Sequence, residues 1–268
     1  MTYCVGLSLD EGLIFMSDTR TNAGMDNISV FRKTKVWQVP GERALVLLSA
    51  GNLGTTQSVI SILDERSKAA SDRSVALIEQ PSMFQTATLV GQTLREVIQR
   101  AAEGGGPKAE SKFGASLILG GQIKGGPPRL FLIYPEGNFI EATEDTPFFQ
   151  IGETKYGKPI IVRAYSPTLG FADAARLLLV SFDSTLKANL SVGLPLDLTM
   201  YRRDSFQVEP AMRIDSDDPY YLQVTHGWST ALQAALEALP PMPLQDMARA
   251  PRSREPHLPT GEKADGDA

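Results

Sequence analysis

The residues best placed to do chemistry stand at the start of the chain. Thr2 follows Met1, and a methionine before a small residue is normally trimmed, which would leave Thr2 as the first residue. A threonine there carries a hydroxyl nucleophile and an α-amine on one residue. The amine, with an ordinary pKa of about 7.7–8.0, can take a proton near neutrality. Acyl transfer then needs no histidine. The same beginning is also that of many chains in which threonine merely opens an edge strand, and Thr2 alone favours that reading.

Other routes to catalysis are narrow. The chain has two histidines, His226 and His257, and one cysteine, Cys4. That leaves too few ligands for a zinc site of the His/Cys type, and a Ser–His–Asp triad would have to use His226, because His257 lies in a polar tail. There is no G-x-S-x-G elbow, P-loop or H-E-x-x-H motif. The glycine-rich segments Gly120-Gly121 and Gly125-Gly126-Pro127-Pro128 precede no helical pattern and are expected to be hairpin turns. Cys4 reads as a small buried apolar group, His226 as a structural or exposed residue on the last helix, and Trp37 and Trp228 as core. No metal and no organic cofactor is expected.

The elements that would position Thr2 follow from hydrophobic periodicity. Residues 2–9 and 13–19 are apolar, β-prone runs around Asp10-Glu11-Gly12, which predicts a hairpin. Residues 20–32 are polar and read as a loop. Lys35–Val39 and Ala44–Ser49 predict a second hairpin. The small-residue turn at 50–54 precedes a helix over about 55–69. A second helix is predicted from an N-cap at Ser82 to about Ala102. Strands return at 115–119, 129–134 and 138–142, a helix at 171–187, strands at 196–201 and 206–214, and a last helix from about 217 to 239. The order is strands, two helices, strands, helix, strands, helix. It is an α+β arrangement, and two antiparallel sheets packed face to face with helices outside would accommodate it.

Composition sets the class. The 268 residues are 42% hydrophobic and 21% charged, enough to build a core without staples. Lys plus Arg is 26 against 31 Asp plus Glu, a net charge of −5, which speaks against a general nucleic-acid binder. One cysteine fits a reducing compartment. No run of 18 apolar residues and no signal-like N-terminus is present, so a cytoplasmic protein without membrane attachment is expected. Six prolines fall within residues 240–268. That predicts a globular domain over 1–239 and a disordered tail over 240–268.

The run TYCVGLSLDEGLIFMSDTRTNAG, then KVWQV, then LLSAGNLGTTQ, resembles the proteasome β-type subunits of the N-terminal nucleophile hydrolases, and among them the bacterial subgroup called Anbu. The shared pattern is a threonine-led strand with glycine four residues on, an Asp-x-Arg segment, a lysine opening a short apolar strand, and a small-residue turn before a helix. Here these are Thr2 and Gly6, Asp18-Thr19-Arg20, Lys35, and Ala50-Gly51. The resemblance implies a four-layer αββα sandwich, the N-terminal nucleophile hydrolase fold.

It also implies roles. Thr2 would be the nucleophile and Lys35 the lysine beside it, chosen over Lys33 and Arg32 by the phasing of KVWQV. Asp18 would hold that lysine, and the backbone N–H of Gly51 would form the oxyanion hole. Arg20, Thr21 and Asn22 would pair with an extended peptide substrate. Behind the amine, the family's serine and aspartate turns are altered: Glu153 stands near the first, and in the second Asn189 replaces the aspartate and the serine falls at Ser191. The implied activity is hydrolysis of amide bonds by a threonine peptidase, weakened by these changes. The implied partners are other copies of the chain, in a ring or split ring. The rival readings are a non-proteolytic assembly protein with a vestigial site and a hydrolase of a small amide.

Overall fold

The computed structural model describes residues 2–22, 28–68, 76–103 and 109–244. In chain order the elements are β1 (Tyr3–Leu9), β2 (Gly12–Asp18), β3 (Arg20–Asn22), β4 (Ile28–Val30), β5 (Thr34–Val39), β6 (Arg43–Gly51), α1 (Leu53–Lys68), α2 (Met83–Ala102), α3 (Ala109–Lys112), β7 (Ala115–Ile123), β8 (Arg129–Ile133), β9 (Phe139–Glu141), β10 (Phe148–Gly152), α4 (Lys158–Ala164), α5 (Phe171–Ala188), β11 (Leu196–Arg202), β12 (Met212–Ile214) and α6 (Pro219–Glu237).

Two five-stranded sheets carry the fold, in the orders β10-β1-β2-β11-β12 and β5-β6-β7-β8-β9. Strand periodicity assigns their faces. Tyr3, Val5 and Leu7 of β1 pack with Leu178 and Phe182 of α5. Cys4, with Leu13 and Phe15 of β2, meets Val46, Leu48 and Ile118 of the other sheet. The far face of that second sheet, with Leu45, Leu47, Leu117 and Leu119, lies against Val59 and Leu63 of α1 and Val90 and Leu94 of α2. β1 and β2 are thus covered on both faces, which is why their sequences are nearly unbroken apolar runs. The layers are helix, sheet, sheet, helix, as the sequence pattern and the resemblance implied.

Several local expectations change. Gly120-Gly121 is no hairpin turn: both residues lie inside β7. The ring of Phe15 occupies the space where a Gly120 side chain would start, 2.5 Å away, and a Cβ on Gly121 would lie 2.1 Å from the carbonyl oxygen of Ala44. These glycines let the sheets and strands approach closely. Gly125-Gly126 does form the turn between β7 and β8. The polar stretch after Arg20 begins as strand, with Arg20, Thr21 and Asn22 paired to Val30, Ser29 and Ile28. Of residues 206–214, Met212–Ile214 form a strand and Val208 makes one isolated bridge to Tyr201. The pattern also predicted nothing between 142 and 171, where β10 and α4 form. β10 matters most, because it lies directly beside β1. The N-cap of α2 is Ser82 as expected, accepting from Gln85 N–H at 3.2 Å.

The chain divides into two compact units, Met1–Trp228 and Ser229–Ala268. The division falls inside α6, and every residue from Thr230 to Leu244 is exposed. Most of the expected tail, residues 245–268, lies outside the described residues, as does Met1. No helix among the described residues is long and apolar enough to cross a membrane.

Candidate active site

Asp18 ends β2 in the buried centre of the first sheet, with no exposed surface. A carboxylate there needs donors on every side. It accepts from Lys33 Nζ at 2.6 Å, from Tyr3 N–H at 2.9 Å and from Gly193 N–H at 3.4 Å. Burial pushes its carboxyl up, against the downward pull of the Lys33 ammonium and the two backbone donors. Lys33 is itself 5% exposed and gives a second hydrogen bond, at 2.7 Å, to the carbonyl of Arg20.

The lysine at the site is therefore Lys33, and the expectation of Lys35 is corrected. Lys35 and Trp37 share one face of β5, and that face looks onto α1. Asp64 of α1 accepts from Lys35 Nζ at 2.6 Å and from Trp37 Nε1 at 2.7 Å. Thr34 faces the opposite way, its hydroxyl 3.2 Å from that of Ser17. Strand alternation excludes Lys35 from the Asp18 side. Lys33 lies just ahead of the strand, where alternation no longer applies.

Thr2, Thr21, Lys33, Ala50 and Gly51 line one cleft, with exposed Arg32 on its wall. Thr2 is held from behind by β10. Its carbonyl accepts from Glu153 N–H at 2.6 Å, and Gly152, at φ +83°, leaves no room for a side chain, since a Cβ would fall 2.0 Å from Thr2 O. Gly51 ends β6 at φ +118°, and the next residue, Asn52, caps α1 through Thr55 N–H at 3.0 Å. The turn thus brings the Gly51 backbone to the cleft wall, in a conformation that side chains rarely adopt.

Arg20 has a different place from the one expected. Its guanidinium lies over Gly193, where a Cβ would come within 2.1 Å of Nε, and Nη1 reaches the Leu190 carbonyl at 2.9 Å. It fastens the 190–193 loop that brings Gly193 to Asp18. Thr21 does line the cleft, and Asn22 ends β3 through backbone pairing. Asn189 closes α5 and is buried. Its Nδ2 donates to Glu153 Oε2 at 2.9 Å, and its Oδ1 accepts from Ser191 N–H at 2.9 Å. Sequence reasoning gave Lys33 second place and saw Glu153 only as a lost serine. No local signal separates Lys33 from Lys35, because residues two apart on a strand would share a face; a carboxylate directly after a glycine at the end of an apolar run was the signal for Glu153.

Cys4 is fully buried, and its thiol donates to the Ser49 carbonyl at 3.6 Å. Burial pushes the thiol far above its usual range, so no thiolate nucleophile forms there. Native protein at pH 8 should therefore resist iodoacetamide at Cys4 and react within minutes once denaturant is added, as followed by intact mass. His226 is exposed on α6 and Trp37 is buried, whereas Trp228 is half-buried. Among the described residues no group of three His, Cys, Asp or Glu side chains could hold a metal ion.

Comparison with known proteins agrees with this arrangement. The family model for the proteasome subunit matches residues 2–193. Anbu (ancestral beta-subunit) from Yersinia bercovieri is 51% identical with a TM-score of 0.83, covering 90% of this chain and 98% of its own. Anbu from Hyphomicrobium sp. strain MC1 is 49% identical with a TM-score of 0.81, covering 90% and 99%. The structure described as the helical assembly of the Anbu complex from Pseudomonas aeruginosa is 48% identical with a TM-score of 0.84, covering 90% and 98%. No curated protein sequence matches significantly. With a threonine-led strand, a buried Asp–Lys pair at its base and these relatives over nine-tenths of its length, the chain belongs to the proteasome subunit family, in its Anbu branch.

Proposed function

We propose that the chain, once Met1 is removed, is a threonine-type amide hydrolase acting on peptides. The observation that carries the reading is Lys33, paired with the buried Asp18, on the wall of the cleft that Thr2 lines. A lysine fixed there stabilises negative charge on the Thr2 hydroxyl oxygen. Thr2 Oγ attacks the scissile carbonyl carbon, and its proton passes to the α-amine, directly or through one water. The oxyanion receives the Gly51 N–H. The carbon–nitrogen bond then breaks, and the leaving amine takes the proton from the α-ammonium. Water hydrolyses the remaining ester on Thr2. Thr21, on β3, offers main-chain groups to an extended substrate.

The Pseudomonas aeruginosa relative's helical assembly supports the further reading that this chain associates with copies of itself. A repeated heterologous contact with a small offset per subunit gives a split ring or helix.

Two measurements test the function. Intact mass should show loss of Met1. A threonine-directed electrophile, such as a β-lactone, should then add once, at Thr2, and not at all in Thr2→Ala. A chain that is processed and assembled into large particles, yet neither labelled nor able to cut a fluorogenic peptide panel, would establish the non-proteolytic reading. Cleavage of small amides alone would establish the third.

A further inference from the structure

The geometry points to Glu153 as the positioning residue that fixes and charges the mature α-amine of Thr2, in the place of the aspartate that Asn189 has replaced. This rests on the reading of Thr2 as the processed N-terminus, and it adds the residue that controls the amine.

Glu153 is 7% exposed. Its two carboxylate oxygens each take one neutral donor: Oε1 accepts from Lys155 N–H at 3.0 Å and Oε2 from Asn189 Nδ2 at 2.9 Å. Among the described residues no lysine or arginine forms an ion pair with it. A buried carboxylate with neutral donors only is costly, and such a group is stable where a cation completes its surroundings. The backbone shows where that cation would arise. Glu153 N–H donates to Thr2 O at 2.6 Å, and Gly152 lies so close that a Cβ on it would sit 3.4 Å from Thr2 Cα. Removal of Met1 creates an α-ammonium on that Cα.

The other charged groups near Thr2 are already engaged or open to solvent. Lys33 and Asp18 neutralise one another at 2.6 Å. Arg20 is bonded to the Leu190 carbonyl, and Arg32 is exposed. That leaves Glu153, bonded to Thr2 through its backbone N–H and without an ion-pair partner among the described residues, as the carboxylate from which the charge would come. Asn189 then has a clear task. Its amide donates to Glu153 and its carbonyl accepts from Ser191 N–H, so it aims the carboxylate.

A carboxylate favours the ammonium form, so it raises the amine's titration midpoint and moves the onset of base catalysis to higher pH. The test is competitive acetylation of the full-length processed protein with trace acetic anhydride between pH 5 and 10, read on the N-terminal peptide by mass spectrometry. This reports the amine without requiring turnover. The wild-type midpoint should lie above the ordinary value of about 8, and Glu153→Gln should lower it by about one pH unit or more. A wild-type midpoint at or below about 8 overturns the inference. So does a folded Glu153→Gln protein with an unchanged midpoint. The wild-type measurement decides the matter even if the variant does not fold. Labelling of Thr2 Oγ by the electrophile is scored separately. Raised amine titration without labelling keeps Glu153 in this role and removes the hydrolase reading, while labelling with an ordinary amine does the reverse.

Discussion

Lys33→Ala slows labelling of Thr2 by a threonine-directed electrophile roughly a hundredfold, because an ammonium beside a titrating group shifts it by about one to three pH units. The same change leaves Asp18 without its cation in a fully buried position. Removing one partner of a buried pair costs about 3–5 kcal/mol, so the urea midpoint falls clearly. Protonation of Asp18 limits the loss, and its burial already pushes it that way. Lys35→Ala is the control. Its pair with Asp64 is about one-third exposed, with 34% and 27% of the two side chains open to solvent, and such a pair contributes up to about 1 kcal/mol. Labelling should remain at the wild-type rate. Equal loss in both variants, or loss in Lys35→Ala alone, would return the site to the strand-opening lysine.

Gly152→Ala has an effect of similar size through the backbone. Gly152 stands at φ +83° with Thr2 O only 2.0 Å from where a Cβ would be. The left-handed conformation alone costs an alanine about 1–2 kcal/mol. The collision adds more, because the obstacle is the main chain of Thr2, held by Glu153 N–H at 2.6 Å. Relief comes from moving Thr2, so labelling should be lost even where the protein stays folded. Gly41 gives the comparison: it has φ +74°, and a Cβ there would meet nothing within 4 Å. Gly41→Ala should lose stability by the conformational cost alone and keep full labelling. A Gly152→Ala protein that labels normally would show that β10 does not hold Thr2.

The two corrections at the site have one origin. KVWQV reads well as a strand with a lysine at its head, and β5 is that strand. Choosing between Lys33 and Lys35 required knowing which face of β5 looks onto α1, and that depends on Asp64, far away in sequence. Glu153 was visible as a residue but not as a neighbour of Thr2. Its strand, β10, is five residues long and follows a Thr-Pro pair without a strong alternating pattern. Pairing with β1 makes it a strand, since β-propensity is largely a property of context. Gly120-Gly121 was misplaced for the same reason: its role in β7 is to admit Phe15 of the facing sheet.

By itself the sequence determined the α+β order, the two leading hairpins and the capped second helix, which depend on periodicity and turn chemistry within short stretches of chain. The candidacy of Thr2, Asp18 and Gly51 came from the short motifs that carry the family resemblance. The tertiary structure alone decided which lysine meets Asp18, what Arg20 holds, that the Glu153 backbone bonds Thr2, and that Asn189 meets Glu153. Each is a contact between residues distant in the chain, the last spanning 36 residues. Such contacts follow from strand register and sheet stacking, where a shift of one residue turns every side chain to the opposite face.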